Sequence, residues 1–460
     1  MSFNLNLDMD SLEKYAIASR DFKIGEEILE ENVVLFGPIS EPKFPICLGC
    51  GIHVDCSITC YDCGWPICKS TCDKLIFHKI NECEIFKKCR NMSFQRLTSK
   101  RNVFHQYDCI LPLRMLLLIE RSPEKWKYIQ KLNSFLDIRR DDASWQSEQL
   151  YVVKYIRQKC KLKKFDEKLI HMVCGIVNIN SFHVSNNKNN IRCIYKDSHN
   201  FSHNCVPNTT FVILPSHNFR ASINISKGTK LTYSKTKVIL PTLLRRQDLI
   251  RNSYLSCFCD RCSDPTELRS HFSSLKCPKC KIGFLMSTDP LDFEADWRCI
   301  TCKLRKRFSH LKKLYNEVEK ELNKIKIEMN LEKCERLLQK YEPVFHFNHS
   351  FIVYLKYYSL LISLDGDTFQ ISKNDNINLK IIKLYEILSV FDIISPGYTK
   401  LRGTIFYLLY KAYIVKAKQC NKTNQHEKEL YLRYMSTALK FLDMTEKMII
   451  GKCFSDVMES

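Results

Sequence analysis

The chain has 460 residues, of which 45% are hydrophobic, with only 12 glycines and 14 prolines. This length predicts several packed domains rather than one. The formal net charge of +21 suits an acidic partner or nucleic acid. The lysines and arginines are nevertheless spread through every region, so we interpret the charge as a soluble surface and do not expect nucleic-acid binding. Residues 1–10 lack the features of a signal peptide, and no stretch of about 18 apolar residues indicates a membrane span.

The predicted elements change character along the chain. Residues 14–37 alternate apolar and polar side chains around a Lys-Ile-Gly turn, which predicts a β-hairpin. Residues 47–83 are too few for a hydrophobic core, so a metal must build their fold. The apolar spacing of residues 84–170 is helical, and residues 171–250 mix short strands with a polar loop. Residues 303–460 are helical again, which indicates helix pairs packed as a solenoid or a bundle.

Fifteen of the 24 cysteines and one histidine stand at spacings that zinc requires. A Cys-x2-Cys pair places two thiolates on one side of a tight turn, and a complete shell of four ligands is the structural type of zinc site. Disulfides are the alternative, but they need an oxidising compartment, so we expect reduced thiols and a cytoplasmic or nuclear protein. The candidate ligands with local spacing are Cys47, Cys50, Cys60, Cys63, Cys68, Cys72, His78, Cys83, Cys257, Cys259, Cys262, Cys277, Cys280, Cys299 and Cys302. Cys56 fits the second pair less well than Cys60 and is interpreted as a buried thiol.

The order of ligands in residues 47–83 resembles a MYND finger, an interleaved module with two zinc ions. The resemblance implies that Cys47, Cys50, Cys68 and Cys72 hold one ion and that Cys60, Cys63, His78 and Cys83 hold the other. The family pattern ends in His-x3-Cys, whereas His78 and Cys83 are five residues apart, about 140° out of line on a regular helix. A single π-bulge, or a helix that ends after His78, would restore the geometry, and we expect the site to survive.

Four further stretches resemble the SET domain, namely residues 175–182, 202–208, 227–228 and 243–246. The Cys257, Cys259 and Cys262 triplet, completed by Cys205 from inside the domain, resembles its post-SET zinc site. Together with the MYND finger, this order is similar to that of the SET-and-MYND (Smyd-type) protein-lysine methyltransferases. The arthropod branch adds a four-cysteine zinc knuckle, for which Cys277, Cys280, Cys299 and Cys302 provide the ligands here.

The resemblance implies a multidomain α+β protein. It comprises a SET β-fold with an inserted MYND finger and helical insert, post-SET zinc sites and an all-α, TPR-like C-terminal domain. The implied domains are the N-terminal part of SET (1–46), the MYND-type finger (47–83), the helical insert (84–170), the SET core (171–250), the post-SET region with the knuckle (251–302) and the helical C-terminal domain (303–460).

In SET enzymes S-adenosylmethionine and the target lysine enter from opposite faces, and the resemblance assigns the cofactor contacts to named positions. A glycine is usual before the first strand, where this chain has Glu13, Lys14 and Tyr15. An Asn-His pair is usual before the buried cysteine, where this chain has Ser202 and His203. Asn180 is retained as a cofactor contact. An aromatic beside the lysine channel maps to Leu255, and the adjacent Tyr254 is a possible substitute.

The catalytic tyrosine of the family maps to Lys235, counted from Gly228. A lysine cannot offer the phenol hydroxyl, and its cation would repel both the sulfonium and the incoming amine. Tyr233 stands two residues earlier and shares a strand face with position 235, so a register slip would let it substitute. The loss of an orienting or acid–base group costs about 10²–10⁴ in rate.

Two functions of different classes remain open from the sequence. One is a zinc-containing, S-adenosylmethionine-dependent protein-lysine N-methyltransferase, weak or inactive because of Lys235. The other is a catalytically inactive adaptor or transcriptional regulator, which binds proteins through the finger and the C-terminal helices. By resemblance, the finger's partners are proline-containing peptides. We expect four zinc ions, a monomer and no membrane partner. The run 303–307 is only a weak nuclear-import or phosphate patch.

Overall fold

The structure is a computed structural model. It describes the chain except residues 1, 8–13, 40–43, 73, 90–104, 186–189, 214–216, 329, 366–375, 421–424 and 449–460. Mixed helix and sheet confirm the predicted α+β class. Among the described residues, no helix is both long and apolar enough to cross a bilayer.

Among the described residues up to 233, ten short strands form the β part of the fold. Four lie in residues 3–38 and six in residues 182–233. They are β1 (Phe3–Leu7), β2 (Lys14–Ala18), β3 (Glu27–Glu31), β4 (Leu35–Pro38), β5 (Phe182–Ser185), β6 (Asn190–Ile194), β7 (Ser202–His203), β8 (Thr209–Ile213), β9 (His217–Ala221) and β10 (Thr232–Tyr233). They form antiparallel sheets in the orders β1-β2, β3-β9-β8 and β4-β6-β5, and β10 pairs with β7 in parallel.

The predicted hairpin at residues 14–37 is wrong in its pairing, although its strands exist. β2 pairs with β1, while β3 pairs with β9, which lies about 190 residues later in the chain. Alternation of apolar and polar side chains indicates a half-buried strand but does not identify its partner. Here the partners come from distant sequence because β8 and β9 supply the aromatic face that β3 and β4 cover.

The MYND segment has two isolated bridges, Ile46↔His53 and Thr59↔Pro66, in place of a sheet. Its helical end comprises α1 (Leu75–His78), a π-helix (Lys79–Cys83) and α2 (Glu84–Lys88). The finger has little apolar core of its own beyond its cysteines and a few aliphatic side chains. Ligands therefore have to hold this segment together.

The helical insert packs against β4 and the finger through one apolar cluster. Its α-helices are α3 (Ile110–Arg121), α4 (Pro123–Ile129), α5 (Ala143–Glu148) and α6 (Glu167–Asn180), with π-helices at Gln149–Val153 and Tyr155–Lys159. Helix α3 is buried along almost its whole length. It begins at a position where Gly37 of β4 allows close backbone approach, because a Cβ there would lie 2.7 Å from the Leu111 Cβ.

The C-terminal half joins a small sheet to a set of long helices. After α7 (Thr242–Ser253) and α8 (Asp260–Ser263), an antiparallel sheet forms from β11 (Leu275–Lys276), β12 (Phe284–Ser287), β13 (Trp297–Cys299) and β14 (Arg305–Lys306). The helices that follow are α9 (Phe308–Glu328), α10 (Leu331–Tyr341), α11 (Ser350–Asp365), α12 (Ile377–Ile394), α13 (Lys400–Lys418) and α14 (Gln425–Met448). They share one apolar core with the small sheet.

Candidate metal centres and candidate active site

The first centre gathers Cys47, Cys50, Cys68 and Cys72, whose sulfur atoms all lie within 4.8 Å of one another. The Cys50 and Cys68 sulfurs are 3.7 Å apart. A tetrahedral zinc with bonds of about 2.3 Å needs thiolates about 3.8 Å apart. Gly51 closes the first turn with a left-handed φ of 82° and an N–H donated to the Cys47 carbonyl. These four residues fit a zinc ion.

The second centre gathers Cys60, Cys63, His78 and Cys83, whose ligand atoms also lie within 4.8 Å of one another. The Cys60 and Cys83 sulfurs are 3.7 Å apart, and the His78 Nε2 lies 3.2 Å from the Cys63 sulfur. Of the two alternatives that the sequence left open, the structure has the wider turn: a π-helix between His78 and Cys83 returns residues five apart to one face. Burial raises the pKa of Cys60, but hydrogen bonds from His78 and the backbone outweigh it and lower the pKa to about 6.

A buried ion pair supports this second centre. The His78 Nδ1 lies 2.8 Å from a Glu82 oxygen, which leaves Nε2 for the metal. Both Glu82 oxygens accept from Arg114 of α3, at 2.6 and 2.8 Å. Arg114 also donates to the carbonyls of Phe36 in β4 and Leu48 in the first centre. One guanidinium thus joins both zinc centres, the insert and the SET sheet.

Burial disfavours the ionised form of Glu82, but the Arg114 guanidinium outweighs it, so the pKa of Glu82 lies below its usual range. Glu82 and Arg114 are 0% and 1% exposed. Sequence analysis missed both residues. The only sequence signal was the spacing of His78 and Glu82, which stand four apart on a helix.

The third centre brings Cys205, from inside the SET core, beside Cys257, Cys259 and Cys262, as the resemblance implied. The Cys205 sulfur lies 3.5 Å from that of Cys262.

A second buried carboxylate, Glu267, supports this centre. Glu267 accepts hydrogen bonds from Arg245 and Arg261 at 2.8 Å each. Arg245 reaches to 3.6 Å from the Cys262 sulfur, and Arg261 donates to the Cys205 carbonyl. Two buried cations thus face thiolates that would carry a net negative charge around zinc.

The fourth centre gathers Cys277, Cys280, Cys299 and Cys302. The sulfurs of Cys277 and Cys302 are 3.6 Å apart, and those of Cys280 and Cys299 are 3.8 Å apart. Strands β11 to β13 present the two pairs to each other. All four centres therefore have the donors and the spacing that fit structural zinc, a filled shell whose role is to hold the fold.

The parallel bridge between β7 and β10 is the centre of the candidate active site. It places Ser202 opposite Thr232 and His203 opposite Tyr233. Leu231 donates to the Ala16 carbonyl and accepts from the Ser202 N–H, which brings β2 beside this bridge. Tyr15, in β2, lies under the Lys230 ammonium at 4.2 Å.

His203 connects the third zinc centre to position 235. The Lys235 backbone N–H donates to the His203 Nδ1 at 3.0 Å, and the His203 Nε2 lies 3.3 Å from the Cys205 sulfur. Because Nδ1 accepts, Nε2 must carry the proton and donate to the sulfur. The His203 ring is thus held by the candidate zinc ligand Cys205, and it in turn fixes the backbone at Lys235.

Asn180 and Tyr254 are held by the helical insert. Asn180 is the last residue of α6, directly before the segment that leads into β5. Its amide donates to the carbonyls of Asn133 and Ile176, at 2.9 and 3.0 Å. The Tyr254 hydroxyl donates to Asp142. The bonds to the Asn133 and Ile176 carbonyls use both protons of the Asn180 side-chain amide, so only the amide oxygen is left for a cofactor.

One predicted cofactor position lies outside the described residues. Glu13 belongs to the segment 8–13, and of Lys14 only the backbone, in β2, is described.

The α+β fold and the four zinc-type quartets, in this order along the chain, are those expected of a SET-and-MYND protein. No family model matches it. Two curated relatives, isoforms B and A of the SET domain-containing protein SmydA-8 of Drosophila melanogaster, are each 24% identical to it, over 316 and 314 residues. The match covers 64% of this chain and 65% and 63% of those relatives. The chain therefore spans just under two thirds of the relatives it matches. These similarities support the assignment of the chain to the Smyd-type SET-and-MYND family.

Proposed function

We propose that this chain binds protein partners and that its transfer of a methyl group from S-adenosylmethionine to protein lysine is weak or absent. The observation that carries the proposal is the pair of environments at positions 233 and 235. Position 235 has a lysine where the family resemblance implies a tyrosine. The nearest phenol, that of Tyr233, is buried in the sheet.

The burial of Tyr233 argues against its substitution for the missing tyrosine. Its ring lies 5.5 Å from that of Phe182, 5.9 Å from that of Phe211 and 5.7 Å from that of Phe219. The residue is 8% exposed, and burial raises its pKa well above the usual range. A ring inside this aromatic cluster contributes to the core. To reach a lysine channel it would have to leave a set of contacts worth about 0.5–1.5 kcal/mol for each ring pair.

Lys235 cannot supply what the phenol would. S-Adenosylmethionine, when bound, supplies a sulfonium methyl group, and the attacking lysine amine must be neutral. A protonated Lys235 repels the sulfonium and also the protonated form in which a substrate lysine arrives. The same residue, if neutral, still lacks the flat ring and the hydroxyl that would wall the channel and orient the amine. We therefore expect a loss of about 10²–10⁴ in rate.

The other contacts that the resemblance implies are also reduced. The Ser202 hydroxyl offers less reach than an amide, and the Asn180 donors already bind backbone carbonyls. Each lost contact weakens cofactor binding by about 1–3 kcal/mol. The described residues whose side chains the resemblance assigns to the cofactor are Tyr15, Asn180, Ser202, His203 and Tyr254.

The surface of the MYND finger supports the binding half of the proposal. It exposes four large apolar side chains that a partner could cover, and their exposed fractions are 40% for Ile58, 102% for Tyr61 and 56% each for Ile76 and Ile80. Proline-containing peptides are the partners that the family resemblance implies for such a finger.

The test begins with calorimetric titration of S-adenosylmethionine into zinc-loaded protein. It continues with methyl transfer to a mixed lysine-peptide library by the wild type and three variants. Lys235→Tyr restores the phenol, whereas Lys235→Phe restores the ring alone. Tyr233→Phe removes only the buried hydroxyl. We expect Lys235→Tyr to exceed the wild type by about 10²-fold or more, with the other two variants near the wild-type rate.

Three results would overturn the proposal. The first is a wild type that transfers methyl groups as fast as Lys235→Tyr. The second is a large loss in Tyr233→Phe, which would make the buried phenol catalytic. The third is a wild type that fails to bind proline-containing peptides and other proteins while it methylates lysine.

A further inference from the structure

The sheet of the fourth zinc centre displays an unbalanced positive surface. Residues 276–283 and 297–307 contain eight lysines and arginines and no aspartate or glutamate. Seven of these side chains are exposed, and together we call them the basic knuckle surface: Lys279, Lys281, Arg298, Lys303, Arg305, Lys306 and Arg307.

None of these seven side chains forms an ion pair with any described residue. Acidic residues do occur in the loop between β12 and β13. There Asp289 and Asp292 accept backbone N–H groups of their own turns, from Leu291 and Glu294. The loop itself is anchored to Arg246, which donates to the Pro290 and Leu291 carbonyls. The cations of this surface therefore have no ion-pair partner among the described residues.

Two of the arginines stand directly opposite each other. Arg298 of β13 pairs with Arg305 of β14, and both side chains are exposed. Like charges directly across a strand pair destabilise a sheet. Two guanidinium groups side by side also form a donor array that matches carboxylates, which they bind in bidentate fashion.

Edge protection explains only part of this surface. Charged side chains on an edge strand prevent sheets from joining, and β14 is an edge of the sheet. Arg298, however, belongs to β13, which lies between β12 and β14. Lys279 and Lys281 lie in the zinc-binding turn before β12.

The apolar residues of the same module indicate what kind of anion fits. Ile282 and Ile300, one beside each zinc-binding turn, are 76% and 48% exposed. The aromatic rings of residues 276–307 are half-buried or buried. Single-stranded nucleic acids stack their bases on exposed aromatic rings, which are missing from these residues. Aliphatic side chains between cations suit a peptide that carries both carboxylates and aliphatic groups.

We propose that the basic knuckle surface binds an acidic segment of a partner protein. Carboxylates of that segment meet Arg298 and Arg305, and its aliphatic side chains cover Ile282 and Ile300. The site is separate from the residues that would contact S-adenosylmethionine. It goes beyond the proposed function, because it requires neither methyl transfer nor the MYND finger.

The experiment measures fluorescence anisotropy of a labelled peptide of alternating glutamate and leucine, with full-length zinc-loaded protein and no S-adenosylmethionine. The test variant is Arg298→Glu with Arg305→Glu, which inverts the charge of the arginine pair and keeps like charges opposite each other. The matched control is Lys125→Glu with Lys163→Glu. It makes the same change in net charge at exposed lysines of the insert that have no ion pair. We expect the test variant to bind at least about tenfold more weakly and the control to bind like the wild type.

Two further comparisons identify the ligand and exclude misfolding. Arg298→Lys with Arg305→Lys keeps the charge and loses bidentate geometry, so we expect intermediate binding. A peptide with serine in place of leucine should bind more weakly than the original. Zinc content must remain the same in every variant.

The proposal is overturned if the test variant and the insert control weaken binding equally, because net charge alone would then explain the result. It is also overturned if duplex DNA or RNA binds more tightly than the peptide and loses affinity in the same variant. Repetition in Lys235→Tyr separates this proposal from the preceding one, because methyl transfer in that variant does not alter the basic knuckle surface.

Discussion

The MYND finger and the zinc knuckle are both built on cysteine pairs, yet they relate to the rest of the molecule in opposite ways. The finger is connected inward, through the fully buried Glu82 and Arg114, to β4 and to α3. The knuckle packs its apolar side on the C-terminal helices, with Leu285 and Trp297 in their core. Its charges face outward without ion-pair partners among the described residues. Ligand spacing thus predicts the metal but not the role of the module around it.

The difference comes from the residues between the ligands. In the finger, the helix that carries His78 also carries Glu82, and the carboxylate can be buried only with a cation beside it. In the knuckle, Trp297 and Cys299 of β13 are buried, while Arg298 between them is exposed and stands opposite the exposed Arg305 of β14. The following predictions test this contrast.

The largest effect should follow the loss of one ligand. Cys60→Ser should reduce bound zinc from four equivalents to three, because a structural site in a finger supplies about 10–16 kcal/mol of binding free energy that folds it. Elemental analysis and the fluorescence of Trp65, which stacks on Phe86 at 4.8 Å, report the change. Cys56→Ser is the control and should keep four equivalents. A drop to three in that control would show that Cys56, not Cys60, is the ligand.

The next effect concerns the buried ion pair of the finger. Arg114→Met should lower the free energy of unfolding by about 3–5 kcal/mol, because it leaves the Glu82 carboxylate buried without its cation. Urea denaturation measures the loss. Removal of both charges, by Glu82→Gln with Arg114→Met, should recover most of it. If the single variant is as stable as the wild type, Arg114 does not integrate the finger.

A smaller effect should be confined to the knuckle. A Cβ on Gly283 would lie 2.5 Å from the Thr301 Oγ1 and 2.8 Å from the Cys299 sulfur. Gly283→Ala should therefore cost about 1–3 kcal/mol by overpacking and should speed zinc release to a chelator from one site of the four. Thr301→Ala in the same chain should relieve part of the cost. Faster release from the finger sites as well would contradict the separation of the two modules.

The smallest effect should have the opposite sign. Arg305→Glu replaces a like-charge pair across β13 and β14 by an attractive one, so we expect the knuckle to gain about 0.2–1 kcal/mol. The same variant should lose affinity for the acidic peptide. Parallel urea denaturation and anisotropy measurements check both halves. A variant that is less stable and yet binds normally would remove the basis for a functional role of this arginine pair.

Some features followed from local sequence alone. The ligand pairs at residues 47–83 and 277–302 have two to four residues between their members, and the structure assembles them into the quartets that the family resemblance implied. The bulge between His78 and Cys83 also follows locally, because five residues can return to one helix face only through a wider turn.

Other features depend on contacts that no local pattern contains. The alternation of apolar and polar residues in 14–37 predicts strands there. It does not predict their partners, because β3 pairs with the distant β9. Asn180 ends a helix, and its side-chain amide donates to the Asn133 carbonyl of the insert, a contact that no local pattern indicates. No sequence pattern indicated a role for Glu267 either. This residue begins a run of left-handed residues from 267 to 269, which places its carboxylate between Arg245 and Arg261.

The sequence by itself determined the closely spaced cysteine pairs. Through the order of its motifs and the family resemblance, it also determined the four sets of candidate ligands, the α+β class and the replacement of tyrosine by Lys235. Tertiary structure alone decided that Tyr233 is buried in an aromatic cluster and that His203 joins a zinc ligand to position 235. It also decided that the Glu82–Arg114 ion pair at the MYND finger is buried, whereas the cations of the basic knuckle surface are exposed. The physical reason is that burial and ion pairing depend on which distant segments meet, and composition does not specify this.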